Sequence, residues 1–280
     1  MLMKGYTLAH EHITIDLSGV KNDQDCHLDN QALTIEQLKK LYDYGVRNII
    51  DVTNIGMGRD NDYVDVVSKA TNINIVKSTG FYKEPFLPDF FYEKSESELA
   101  NLMVDELNDF AHVIGEIGTS KNTWSEAEKK LFRAAVLAHK ETGAPISTHT
   151  TLGTLGLEQA EFFLDNNVDP DMVVIGHLDL SGSLEHIEKI IKLGFNVGFD
   201  TIAKDNYFPD TGRIEYLLSL QDKDLIDKVV LSLDITRKSH LATYGYTHIF
   251  EKFIPACLDA GITQESIDQM LEGNPNRIYA

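Results

Sequence analysis

One pattern recurs along the chain: a short β-branched run, a polar turn, then a stretch with helical spacing of apolar residues. The runs are "YTLAHEH" (6–12), "VRNIIDVT" (46–53), "INIVKSTGF" (73–81), "VIGEIGTS" (113–120), "PISTHTT" (145–151), "MVVIGHLDL" (172–180), "NVGFDTI" (196–202) and "KVVLSLDIT" (228–236). Their starts lie roughly 25 to 40 residues apart, the spacing of parallel strands joined by right-handed helical crossovers. Thr34–Gln37, Ser95–Glu98 and Ser125–Glu128 have the form of capping boxes that open helices between the runs. Eight such units in 280 residues fit a closed (β/α)8 TIM barrel better than an open doubly wound sheet. No GxGxxG follows the first run, which also speaks against a dinucleotide fold. No linker or low-complexity block divides the chain, so one barrel domain over 1–280 is expected.

A barrel of this kind carries its chemistry at the C-terminal ends of its strands. His10 and His12 end the first run and, at i and i+2, are expected on one face, with Glu11 turned the other way towards the helices. Glu116 lies in the fourth run; His149, His177 and Asp234 end the fifth, sixth and eighth. A single strand histidine is most often a hydrogen-bonded core residue, and a single acid a cap or an ion-pair partner. Four imidazoles and two carboxylates converging on one rim are different, because burying them together without a cation leaves charges to be paired or neutralised. Divalent metal resolves that cost and suits nitrogen and oxygen ligands. Six ligands suffice for two ions. Two dications about 3.5–4 Å apart need an anion between them, and Glu116 offers one oxygen to each. His10, His12 and Asp234 would hold one ion and His149 and His177 the other, with a hydroxide completing the bridge.

The words "TLAHEH", "GEIGTS", "GAPISTHT", "VIGHLD", "GFDTI" and "LSLDITRKSH" resemble the phosphotriesterase-homology proteins of the amidohydrolase superfamily, in order and nearly end to end. The resemblance implies an amidohydrolase-type barrel with two zinc ions, held by His10, His12, Glu116, His149, His177 and Asp234, and it implies a homodimer. True phosphotriesterases bridge their metals with a lysine that has taken up carbon dioxide. Here Glu116 encodes the bridging carboxylate directly, without need of bicarbonate, which counts against phosphotriesterase activity. Ligand type alone leaves zinc, manganese and cobalt open.

The chain carries a formal charge of −19, which disfavours nucleic acid and anionic membrane as partners. An anionic small-molecule substrate would need a local basic pocket. Lys204 follows the seventh run, and Arg237 and Lys238 follow Asp234, so these cations are candidate anion contacts, with Tyr207 and His240 as further donors. The alternative is that they pair with acids such as Asp205 and Asp210. Some relatives look like lactonases acting on sugar lactones, including phosphorylated ones, whose anion contacts fall in these two loops. Those relatives tend to have Tyr where this chain has His240, and a titrating His240 would make anion affinity rise between pH 8 and 5.5.

The expected activity is therefore metal-dependent hydrolysis of a carboxylic ester or lactone, with Asp234 moving the proton. Phosphoester or phosphotriester hydrolysis is the alternative, and a non-catalytic zinc-binding protein a further one. Ser232 is expected to serve barrel packing. The lone Cys26 and Cys257, and a start without an apolar leader, fit a cytoplasmic protein.

Overall fold

A computed structural model describes residues 2–280. Eight strands lie in one sheet in sequential order: β1 Tyr6–Glu11, β2 Val46–Asp51, β3 Asn74–Thr79, β4 Val113–Thr119, β5 Ile146–Thr150, β6 Val173–Ile175, β7 Asn196–Phe199 and β8 Val229–Leu231. Each is parallel to the next. The strands are those that the β-branched runs mark, and with the helices between them they form a nearly closed (β/α)8 barrel. Parallel strands packed on both faces need no polar alternation, and every residue of β6, β7 and β8 is buried.

Ala9, Ile50, Val76, Val113, Val174 and Val230 come from six different strands yet form one buried cluster with Ile278 and Tyr279. Six strands can share such a cluster only inside the barrel, and the chain's last turn closes it from below. A larger cluster joins the outer strand faces to the helices. The layer above the inner cluster is polar, and it is there that the rim histidines and acids lie.

Two of the three expected capping boxes form. Ser95 and Glu98 open Glu96–Asp109, and Ser125 and Glu128 open Glu126–Thr142, each with both reciprocal bonds. The third does not: Gln31–Asp43 starts a turn earlier, with the Asn30 side chain accepting from Leu33 N, and Thr34 is buried inside the helix. Gln37 is thereby freed to donate to Leu241 O and accept from Tyr246 N. Replacing Ser125 with Ala should cost about 1 kcal/mol, read as a lower urea midpoint at unchanged slope.

Both cysteines are free and buried. Among the described residues no helix is long and apolar enough to cross a membrane.

Candidate metal centre

The sheet brings the six rim residues together. His10 lies in β1 and His12 just past it, Glu116 in β4 and His149 in β5. His177 and Asp234 do not end their strands as the runs suggest: they lie two and three residues beyond, with φ of 57° and 54°. Left-handed backbone at a non-glycine residue costs on the order of 1–3 kcal/mol and persists only where the surroundings hold it. For His177 the holder is Asp200, whose Oδ1 accepts from the His177 backbone N at 2.9 Å and from its ring Nδ1 at 2.7 Å.

Glu116 stands at the centre. Its Oε1 is 3.3 Å from His12 Nε2; its Oε2 is 3.4 Å from His10 Nε2, 3.1 Å from His149 Nδ1 and 3.6 Å from His177 Nε2. Asp234 Oδ1 is 3.2 Å from His12 Nε2 and 4.0 Å from His10 Nε2. The approach of β4 to β5 depends on Gly115, at φ 143°, because a Cβ there would overlap the Ser147 carbonyl oxygen.

These separations test whether metal fits. Ligand bonds of about 2.0–2.2 Å at a tetrahedral ion set neighbouring donors about 3.4 Å apart, whereas hydrogen bonds bring N and O to about 2.9–3.0 Å. Most of the contacts around Glu116 are of the first kind. Nε2 of His10 and Nε2 of His12, the ring atoms that face Glu116 and Asp234, are buried without a hydrogen-bond partner, which a native site rarely tolerates. Donor atoms of His10, His12 and Asp234 lie within 4.8 Å of one another, as do those of His10, Glu116 and His177. The donor set therefore fits divalent ions.

Protonation tells the same story. Burial works to lower the His12 ring, but the neighbouring carboxylates of Asp234 and Glu116 outweigh it and lift its pKa to about 10. His149, desolvated and next to the charge of His177, is pushed down to about 4. Burial pushes the Glu116 carboxyl up, yet the charge of His10 and the other rings around it hold it well below its usual range. Without a cation, protons on some rings neutralise the carboxylates; a dication would take their place.

Asp200 is the residue that the sequence argument missed. Besides holding His177, its Oδ2 is 3.4 Å from His10 Nδ1. Ligating imidazoles commonly give their second nitrogen to a carboxylate that fixes ring and tautomer. Gly198 makes room for it, since a Cβ there would collide with Asp200 Oδ2. The signal was present, an acid ending the seventh run in "GFD". Thr53 serves His12 Nδ1 in the same way at 2.8 Å, and the Tyr82 hydroxyl is 3.3 Å from both ring nitrogens of His149.

A cavity of about 340 Å³ opens over the site. Lys204, Tyr207, Arg237 and His240 all line it, but the candidate anion contacts are not equally free. Lys204 Nζ pairs with Asp234 Oδ2. Arg237 pairs with Asp23 at 2.7 Å and Asp25 at 3.4 Å, and Lys238 with Asp29 at 2.9 Å. The alternative, that these cations pair with acids, therefore describes all three, although Asp205 and Asp210 are not the acids used; Asp210 takes Arg213 and His248 instead. Tyr207 is 53 % exposed and forms part of the mouth. Burial, then the charge of Lys204, push His240 down to about 4, which favours the neutral ring over the range from pH 5.5 to 8 when no anion is bound.

Two other cations reach the cavity. Lys83 Nζ lies 5.5 Å from the ring centres of both Tyr82 and Phe86, and Lys21 Nζ lies 5.9 Å from that of Phe86. Among the described residues neither has a carboxylate partner; Lys83 donates only to the Glu84 carbonyl, at 3.1 Å.

Comparison with known proteins gives this geometry its context. The model of the phosphotriesterase family matches residues 2–279. The phosphotriesterase homology protein of Escherichia coli K12 is 45 % identical over 98 % of each chain. A crystal structure of a phosphotriesterase homology protein from Escherichia coli, complexed with phosphate in its active site, superposes with a TM-score of 0.97 at 44 % identity, covering 99 % of both chains. An aryldialkylphosphatase of Saccharolobus solfataricus is 31 % identical over 99 % of this chain and 95 % of its own. A phospho-furanose lactonase of Mycoplasmopsis synoviae is 28 % identical over 99 % and 88 %.

Proposed function

The chain belongs to the phosphotriesterase family and is a metal-dependent hydrolase, and from that premise we propose that it opens a sugar lactone carrying a phosphate or other anionic tail. The observation that carries this reading is the pair of ammonium groups, Lys83 and Lys21, that face the cavity without an acidic partner on a chain of net charge −19. Burial lowers the pKa of Lys83, and a bound anion would favour its charged form. A neutral triester has no use for two such cations.

In this reading His10, His12 and Asp234 would hold one divalent ion and His149 and His177 the other, with Glu116 available to both; zinc is the ion proposed. Bound there, the two ions supply Lewis acidity and hydroxide at neutral pH. Asp234 keeps Oδ1 towards the rings and Oδ2 towards Lys204 and the cavity. Its carboxylate accepts the proton of the attacking water and returns it to the oxygen that leaves the carbonyl carbon. Ile15, Leu17, Met57 and Phe86 form the apolar wall and limit water around the sugar ring. Tyr207, Arg237 and His240 complete the lining as neutral or already paired donors.

Hydrolysis of a phosphotriester is the second reading, supported by the aryldialkylphosphatase relative and by that apolar wall. Proton release from a panel of sugar lactones, with and without phosphate, set against paraoxon-like esters, separates the two. Phosphorylated lactone should be the best substrate. Lys83→Ala should raise its KM about tenfold or more, the loss of a hydrogen bond to a charged group, and leave the unphosphorylated lactone unchanged. Turnover of the triester alone would reverse the order.

A further inference from the structure

We propose that Glu11 is a positioning residue: a clamp across the barrel seam that sets Asp234 against His10 and His12. The inference rests on the assignment of Asp234 made above. The parallel ladder runs from β1 round to β8, and among the described residues no ladder pairing joins β8 back to β1. Side chains make the seam instead. Ser232 Oγ accepts from His10 N at 3.1 Å and donates to Glu11 Oε1 at 2.8 Å. Leu233 N donates to the same Oε1 at 2.7 Å, and Ile235 N to Oε2 at 3.1 Å.

Those two amides belong to the residues on either side of Asp234. Asp234 itself is in the left-handed conformation that an L side chain rarely adopts unheld. A carboxylate that holds the N–H groups of the residues before and after it ties down both ends of the turn in which Asp234 takes that conformation. The clamp is anchored at its own end: Glu11 is fully buried, and its backbone oxygen accepts from Val52 N at 3.0 Å. One residue thus joins the strand bearing His10 and His12 to the turn bearing Asp234.

Glu11, expected to turn towards the helices, spends its carboxylate on Ser232, Leu233 and Ile235 after β8, next to a register irregularity of β1 with β2 between Leu8 and Glu11. Ser232, expected only to pack, is a bonded part of the seam. A carboxylate suits the task because two oxygens can accept all three bonds. An amide has one accepting oxygen, and its NH2 would meet an N–H head-on.

The test uses the full chain loaded with cobalt, whose visible absorption reports ligand geometry, and chelator extraction, which reports each ion's release. Glu11→Gln should change the spectrum and speed release of one of two ions by about 10- to 100-fold, with the other ion and the far-UV circular dichroism unchanged. Ser232→Ala keeps both amide grips; it should lower the melting temperature and keep the native spectrum. Should E11Q fail to fold, E11D, which withdraws the carboxylate by one methylene, must show the same one-ion loosening. A native spectrum and native release rates in E11Q or E11D would overturn the clamp, as would a spectral change in S232A equal to theirs. Failure of the unmodified protein to take up cobalt would instead remove the metal reading, and the clamp with it.

Discussion

Asp234→Asn should lower kcat of the metal-loaded enzyme by about 100- to 10,000-fold, the range for loss of a positioned proton acceptor, while most of the metal stays bound. Asparagine matches the shape of aspartate and can still turn an oxygen towards His12, where Oδ1 now lies 3.2 Å from Nε2. It cannot accept a proton. Burial pushes the Asp234 carboxyl up, but the charges of Lys204 and of the neighbouring rings of His12 and His177 hold it well below its usual range. It is therefore in its accepting form throughout the working pH range, and a proton taken there is readily passed on. KM should change far less than kcat, because the cations proposed to hold the anionic tail are Lys83 and Lys21. Steady-state kinetics and metal analysis on one sample decide the matter. Unimpaired kcat with two bound ions would take proton transfer away from Asp234.

Much of this site was legible because the order of residue types along a barrel is also their order round its rim. The β-branched runs locate all eight strands, and five strand ends bring His10, His12, Glu116, His149, His177 and Asp234 into one place. What was not legible follows from geometry that composition does not encode. His177 and Asp234 lie beyond their strands because Asp200 and Glu11 hold turns in left-handed backbone, and nothing local announces such holders. The partners of the Glu11 carboxylate lie more than 220 residues away across the seam, and no local pattern announces them. The pairing of Arg237 with Asp23 spans 214 residues, and the acids adjacent in sequence were the natural but wrong partners. Lys83 escaped notice because no histidine or acid marks the end of β3 as a rim position. Thr34 and Gln37 matched a capping box by spacing, but Asn30 competes for the same task one turn earlier and wins.

Removing the metals should abolish turnover and also weaken the fold, and the second effect has a signature in pH. At free metal about 1,000-fold above its dissociation constant, each bound ion adds about 4 kcal/mol of stability. For a chain of this size that corresponds to roughly 10 °C or more in melting temperature. The stripped protein must neutralise Glu116, Asp234 and Asp200 with protons on its rings. His12, raised from its ordinary value of 6.5 to about 10 in the folded state, binds a proton more tightly folded than unfolded. Its contribution is therefore complete below about pH 6.5 and is lost as pH rises through 10. His177, also raised well above its ordinary value, acts in the same direction. The stripped protein should accordingly lose stability steadily from pH 6.5 towards 10. The loaded protein, whose ring nitrogens are occupied, should hold its melting temperature over most of that interval. Calorimetry of both forms across the range, with activity restored by returning zinc, is the check. Parallel curves for the two forms would mean that the rings of this pocket do not exchange protons for metal.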